Sequence, residues 1–365
     1  MLYFIVLTQV CNLRCKYCGN APDGTIEPLE ISYELTDLKR FVEKDPEPII
    51  AFYGGEPLLR IGLIEEIMDK IKAKKYIIQT NGILLHRMKR KYIKRFDTIL
   101  VSIDGRREIT DFYRGKGVYD KVLSGIKHLR DNGFEGDLIA RMAVSEKTDI
   151  FKDVTHLIEL REPHFDHVHW QLDVLWDSPP YQRYNNFNDW LRKYNDGITR
   201  LVHYWLRKIE KEHDIPGIVP FLGIMKRLLF GVSEKNPLPC GAGINAFTIT
   251  TSGRIIACPI APEFEWNAVG DIYTNDPHEL PGKVVVEEPC TSCELYQICG
   301  GRCLFANKTK LWGADGFEKV CETVKHLVSQ LQEIRPRIQT LIDEGVYEKE
   351  DFNYPKYNNT TEIIP

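Results

Sequence analysis

Residues 1–18, MLYFIVLTQVCNLRCKYC, join a run of apolar, β-favouring residues to three cysteines in a C-x3-C-x2-C spacing. The run is too short to cross a membrane and has no basic leader, so it reads as a buried strand rather than a signal peptide. Cys11, Cys15 and Cys18 occupy the loop at its C-terminal end. Three thiolates in one short loop can hold three irons of a [4Fe–4S] cluster and leave the fourth open to chemistry. The alternatives are a zinc site or chance clustering; structural zinc takes four ligands, and no histidine lies nearby.

Outward from this loop, short β-rich segments at residues 3–9, 48–53, 75–80, 97–103, 137–144 and 165–175 alternate with helix-length sequence. That alternation predicts an α/β fold with a parallel sheet, a partial (β/α)6 TIM-like barrel, with its chemistry at the C-terminal ends of the strands. The chain has 365 residues, 43% apolar and 27% charged, enough for one large domain and a smaller one. We expect a barrel over 1–235 with a helical extension at 180–235, a cysteine-rich domain over 236–325, and a C-terminal helix and tail over 326–365. A formal charge of −4 supplies no electrostatic reason to bind nucleic acid or a membrane surface. Without an export signal the expected compartment is the reducing cytoplasm, where ten cysteines are better explained by metal or clusters than by disulfides.

Further motifs follow successive predicted strands. Gly54-Gly55-Glu56-Pro57 comes after the second, Gln79-Thr80-Asn81-Gly82 ends the third, and Ser102-Ile103-Asp104-Gly105 ends the fourth. Strand alternation puts Ser102 and Asp104 on one face. The glycines allow close backbone approach, and Glu56 offers an acceptor to a cation. Arg114 lies just beyond, in DFYRGKG.

This ordered set resembles the radical S-adenosylmethionine (SAM) superfamily. The resemblance implies that SAM chelates the open iron held by Cys11, Cys15 and Cys18 and is reductively cleaved to a 5′-deoxyadenosyl radical. It places Tyr17 near the adenine, Gly54, Gly55 and Glu56 at the methionine amino group, Asn81, Ser102 and Asp104 around the ribose and carboxylate, and Arg114 at the SAM carboxylate. A salt-bridged surface arginine is the alternative for Arg114.

The other seven cysteines form C-x12-G-x4-C (Cys240, Gly253, Cys258), then C-x2-C-x5-C-x3-C (Cys290, Cys293, Cys299, Cys303), then Cys321. The pattern resembles the SPASM auxiliary-cluster domain; paired zinc knuckles are the alternative. Carried over from that family, Cys290, Cys293, Cys299 and Cys321 would hold a distal cluster, and Cys240, Cys258 and Cys303 a proximal one. The proximal site is one cysteine short, because GAGINAF stands where the similar anaerobic sulfatase-maturating enzymes supply an eighth; this leaves an open iron, a non-cysteine ligand or a smaller cluster. Those enzymes also place an aspartate base after the equivalent of Cys258, where this chain has Pro259. Glu263 and Glu265 are the nearest replacements.

In HFDHVHWQLDVLW the alternation sets His167, His169, Gln171 and Asp173 on one face, which makes Gln171 and Asp173 candidates for lining a substrate cavity; a solvated edge is the alternative. The basic stretch at 86–96 reads as a solvated helix face. The expected activity is modification of a peptide or protein side chain, by oxidation or by a thioether or carbon–carbon crosslink. Expected partners are that substrate, a reductant such as ferredoxin or flavodoxin, and a separate leader-binding protein, because the barrel begins at residue 3. The rivals are a small-molecule, cofactor-precursor or RNA substrate, and a non-catalytic iron–sulfur or zinc scaffold.

Overall fold

The computed structural model describes residues 1–19, 22–173, 185–232 and 234–354. Six parallel strands occupy the expected segments: β1 (Leu2–Val6), β2 (Ile49–Tyr53), β3 (Lys75–Thr80), β4 (Thr98–Ser102), β5 (Asp137–Val144) and β6 (His167–Leu172). Each pairs with its sequence neighbour, and helical segments make the crossovers. Short strands β7 (Ala246–Ile249), β8 (Arg254–Ile256) and β9 (Ala268–Asp271) extend the sheet past β1, in the order β6-β5-β4-β3-β2-β1-β7-β8-β9. This is the α/β, TIM-like barrel architecture that the alternation predicts.

Period-two alternation sorts the strands into two apolar layers. Tyr3, Ile5, Phe52, Ile78, Val101 and Trp170 face outward into the main core, which includes the crossover helices. Leu2, Phe4, Ala51, Ile77, Leu100, Ile139 and Ala246 form a separate inner layer with no helical residue in it. That layer floors the barrel lumen at the N-terminal ends of the strands. Two residues further along, the same face carries Tyr53, Gln79, Ser102 and Arg141, so the lumen turns polar toward its C-terminal mouth.

Two features differ from expectation. The cysteine-rich segment shares the barrel's sheet: β7 runs parallel to β1, with Leu2 opposite Ala246 and Ile5 opposite Ile249. A half-buried ion pair ties the same region to the loop after β1, where Arg254 Nε donates to Glu27 Oε1 at 2.9 Å. The C-terminal helix runs from Gly313 to Asp343 and takes in Cys321, beginning well before residue 326. It packs on the helix Phe187–Arg207, and Thr199 Oγ1 and His326 Nε2 meet at 2.9 Å. Parts of three sequence expectations lie outside the described residues: 174–175 of the sixth strand, 180–184 of the helical extension, and the tail from 355. Among the described residues no helix is long and apolar enough to cross a membrane.

Candidate active site

The first cysteine loop is built against the β2 turn by backbone contact. Gly55 N donates to Thr8 O and Glu56 N to Val10 O, both at 2.9 Å. A Cβ on Gly54 would lie 2.3 Å from Thr8 O, and one on Gly55 2.4 Å from Val10 O. Gly54 also has φ +136°, outside the range of residues with side chains. The close approach that requires these glycines is therefore that of the chain's own cysteine loop.

Glu56 is fully buried, and its carboxylate is committed to that scaffold. Oε1 accepts from Leu58 N at 3.0 Å and Thr80 Oγ1 at 2.6 Å, and Oε2 from Asn81 N at 2.7 Å. The expectation that Glu56 offers an acceptor to a cation is corrected to that extent: three internal donors use it, and it locks the β2 turn to the end of β3. Asn81, so held, donates through Nδ2 to Asn12 Oδ1 at 2.7 Å and to Cys11 Sγ at 3.7 Å. Leu13 N also donates to Cys11 Sγ, at 3.4 Å.

On the other side of the loop, Asp104 gathers four donors. Its carboxylate accepts from Tyr17 Oη at 2.8 Å, Ala143 N at 2.9 Å, and Arg114 Nε and Nη2 at 2.8 Å each. Burial opposes the charge of Arg114, and Asp104, Tyr17 and Cys15 together outweigh it, so the guanidinium is held more firmly protonated than usual. The structure thus places Arg114 as a buried partner of Asp104, rather than a surface arginine. Tyr17 lies between two of the cysteines, with its ring 5.6 Å from Tyr113 and the Arg114 guanidinium 5.4 Å from its centroid.

All ten cysteines are free. Mutual electrostatic influence sorts nine of them into three groups: Cys11, Cys15 and Cys18; Cys240, Cys258 and Cys303; and Cys290, Cys299 and Cys321. Cys293 joins the last group through Cys290 and Cys321. Burial pushes Cys15 up to about 11 and Cys240 and Cys299 up to about 12, and raises Cys258 well above the ordinary thiol range. Free thiols brought together without disulfides fit bound iron, which would supply the positive charge that thiolates lack here. Among the described residues no three His, Cys, Asp or Glu side chains converge closely enough for a single metal ion.

Sequence reasoning missed two clamps on the cysteine loops. Asn267 is fully buried; its Oδ1 accepts from Cys258 N and its Nδ2 donates to Cys258 O, both at 2.8 Å. Asn307 makes the same two-way contact with the backbone of Glu287, near Cys290, again at 2.8 Å. Glu263 and Glu265 are exposed, and only Glu263 bears on the Cys258 thiol electrostatically. The polar face of β6 is no solvated edge: His169 is fully buried, and Asp173 accepts from Ser145 Oγ at 2.6 Å.

A third missed residue is Arg141, which interrupts the inner face of β5. Arg141 Nη1 and His169 Nδ1 lie 2.8 Å apart, and Nη2 donates to Gln171. The alternation of DLIARMAV, with a guanidinium two residues after inward Ile139, was the available signal.

Comparison with known proteins agrees with this geometry. Residues 5–158 match the radical SAM superfamily. Fe-coproporphyrin III synthase of Methanosarcina barkeri is 32% identical over 166 residues, 43% of this chain and 39% of that protein. Relatives matched over most of their length include an AdoMet-dependent heme synthase of Oleidesulfovibrio alaskensis, 24% identical over 81% of this chain and 80% of its own. The mycofactocin maturase MftC of Mycolicibacterium smegmatis is 25% identical over 86% and 81%. Among solved structures, anSMEcpe with bound AdoMet and a peptide superposes with TM-score 0.68 at 19% identity, covering 92% of this chain and 99% of that one. Streptococcus suis SuiB bound to its precursor peptide SuiA has TM-score 0.57 at 17% identity, covering 85% and 73%. The chain carries a radical SAM domain over residues 5–158, which supports enzymatic radical SAM activity. Its architecture is SPASM-like.

Proposed function

We propose that this enzyme modifies a side chain of a peptide or protein by radical chemistry, with two auxiliary clusters in its cysteine-rich segment. The observation that carries this reading is the grouping of the free cysteines into three sets, matching the division implied by the SPASM resemblance. Cys11, Cys15 and Cys18 would hold a [4Fe–4S] cluster that, with SAM, supplies a 5′-deoxyadenosyl radical for hydrogen abstraction. Cys240, Cys258 and Cys303, and separately Cys290, Cys293, Cys299 and Cys321, would hold clusters suited to taking up the electron left on substrate.

The chain's own residues set the geometry. Glu56 and Gly54 fix the cysteine loop against β2, Asn81 steadies the Cys11 thiolate, and the Asp104–Arg114 pair holds Tyr17 and with it the segment between Cys15 and Cys18. Gly55, Ser102 and Asp104 line the side on which SAM would lie. Glu263 is the carboxylate nearest the Cys258 group in electrostatic terms, and we assign it, ahead of Glu265, as the proton acceptor on that side. The peptide reading is supported by anSMEcpe and SuiB, both solved with peptides and both sharing this fold. A ferredoxin or flavodoxin would supply the reducing electron, and a separate protein would recognise any leader.

The test is mass spectrometry of peptides from cells with and without this chain. A mass change confined to cells that have it, and absent with Cys11, Cys15 and Cys18 replaced by Ala, supports the proposal; an unchanged peptide pool refutes it. The heme-synthase relatives favour a second reading, a tetrapyrrole substrate. A porphyrin-mass shift in the same extracts, without a peptide shift, selects that reading.

A further inference from the structure

The helix Arg107–Arg114 buries Tyr113 and Arg114, while Phe112, one residue earlier, faces solvent and is 38% exposed. Tyr113 ties this helix to two loops. Its carbonyl accepts from Lys16 N at 2.8 Å, in the first cysteine loop, and its Oη from Lys147 N at 3.0 Å, in the loop after β5. These two anchors bring two lysine side chains to one exposed ring: Lys16 Nζ lies 3.5 Å and Lys147 Nζ 5.0 Å from the Phe112 centroid.

The ring attracts both ammoniums, and they repel each other. No carboxylate pairs with either of them among the described residues. The acidic groups next to them in the chain are engaged elsewhere: Asp111 accepts from Gly117 N and Tyr119 N, Glu108 pairs with Arg106, and Glu146 accepts from Asn185 N. The face is therefore a concentrated positive charge around an apolar centre. The chain as a whole carries −4, so an acidic protein is repelled in general and oriented by a local basic face of this kind.

From this face a run of rings leads inward. The Phe112 and Tyr113 centroids are 4.9 Å apart and those of Tyr113 and Tyr17 5.6 Å, and Tyr17 immediately precedes Cys18. Electronic coupling decays less steeply through packed atoms than across a gap, so the face offers a short route to iron held by Cys11, Cys15 and Cys18. Reductive cleavage of SAM takes one electron from an outside donor.

We propose that the face formed by Phe112, Lys16 and Lys147 docks an acidic one-electron carrier protein. The carrier loses one electron, its own flavin or iron centre being oxidised by one equivalent, and the iron held by Cys11, Cys15 and Cys18 gains it; no bond is made or broken in this step. This rests on the reading of that loop as the SAM-cleaving site and is independent of the substrate.

The test uses the full chain with its clusters reconstituted anaerobically and SAM bound, and an acidic flavodoxin as the carrier. Calorimetric titration measures binding of oxidised flavodoxin. Formation of 5′-deoxyadenosine is driven by flavodoxin hydroquinone or by photoreduced 5-deazariboflavin, a small donor that needs no docking face. Lys16→Glu/Lys147→Glu should weaken flavodoxin binding and slow the flavodoxin-driven reaction on the order of tenfold, with the deazariboflavin-driven rate within about twofold of wild type. Phe112→Ala should change both flavodoxin readouts in the same direction. Arg90→Glu/Lys91→Glu, the same charge change on exposed residues of another helix, should leave them within about twofold. Raising salt to about 0.5 M should remove most of the wild-type advantage. Three outcomes overturn the proposal: wild type that binds flavodoxin no tighter than Lys16→Glu/Lys147→Glu, an equal loss in Arg90→Glu/Lys91→Glu, or wild-type binding that salt does not weaken. If deazariboflavin yields no deoxyadenosine from wild type, the reading of the cysteine loop fails, and the calorimetric arm still decides whether this face binds the carrier.

Discussion

Replacing Asp104 by Asn tests whether the buried Asp104–Arg114 pair holds the SAM-side loop. The side chains are 0% and 7% exposed, so Asp104→Asn leaves the Arg114 guanidinium in a dry site without its counter-charge. Removing one partner of such a pair costs about 3–5 kcal/mol. The amide also cannot accept from Tyr17, Ala143 and both Arg114 nitrogens at once, which releases the segment between Cys15 and Cys18. A total near ~4 kcal/mol is a large share of the roughly 5–15 kcal/mol that holds a typical domain folded. The assay is anaerobic chemical denaturation of wild type, Asp104→Asn, Arg114→Met and the double variant. Removing both charges should cost less than the sum of the singles, giving a coupling of about 2–3 kcal/mol. As a control, Asp131→Asn breaks a pair with Lys127 whose side chains are 59% and 69% exposed, and it should not move the transition measurably. A loss below about 1 kcal/mol for Asp104→Asn, or strict additivity in the double variant, would refute the reasoning.

Gly54→Ala places a Cβ 2.3 Å from Thr8 O at φ +136°, so the torsion alone costs about 1–3 kcal/mol; reconstituted iron should fall with the denaturation midpoint, and an unchanged iron content contradicts the account of the loop. The Glu56 carboxyl is held above the usual range by burial, against hydrogen bonds from Thr80, Asn81 and Leu58. Its stabilising contribution is present below the ordinary Glu range and is lost as pH rises through the raised value, so Glu56→Gln should flatten the decline in wild-type stability from about pH 4 upward. Cys258→Ser should lower bound iron by one cluster while 5′-deoxyadenosine still forms on adding dithionite and SAM, measured by chromatography; loss of deoxyadenosine would mean that this thiol belongs to the radical-generating site. Asn267→Ala removes both hydrogen bonds that hold the Cys258 peptide and should cost about 1–3 kcal/mol, read from the unfolding midpoint.

The strands, the cysteine loop and the ordered motifs were legible in the sequence because each is a local signal. Alternation at period two marked the inward face of β6, and chain spacing alone marked the two sets of thiols. What each motif residue does was decided by contacts across the chain. Glu56 reads as an acceptor open to a ligand until Thr80 and Asn81 arrive from β3 to occupy it. Arg114 reads as a surface arginine or a SAM contact until the fold buries it against Asp104. The cysteine-rich segment reads as a separate domain until β7 pairs with β1, some 240 residues away in the chain. Arg141 is one arginine among many until Ser102 and His169 come into register on either side. Local pattern sets which face a side chain takes, since that follows from backbone geometry within a few residues. Whether a charge on that face is neutralised depends on groups brought near only when distant segments pack, and only the tertiary structure decides it.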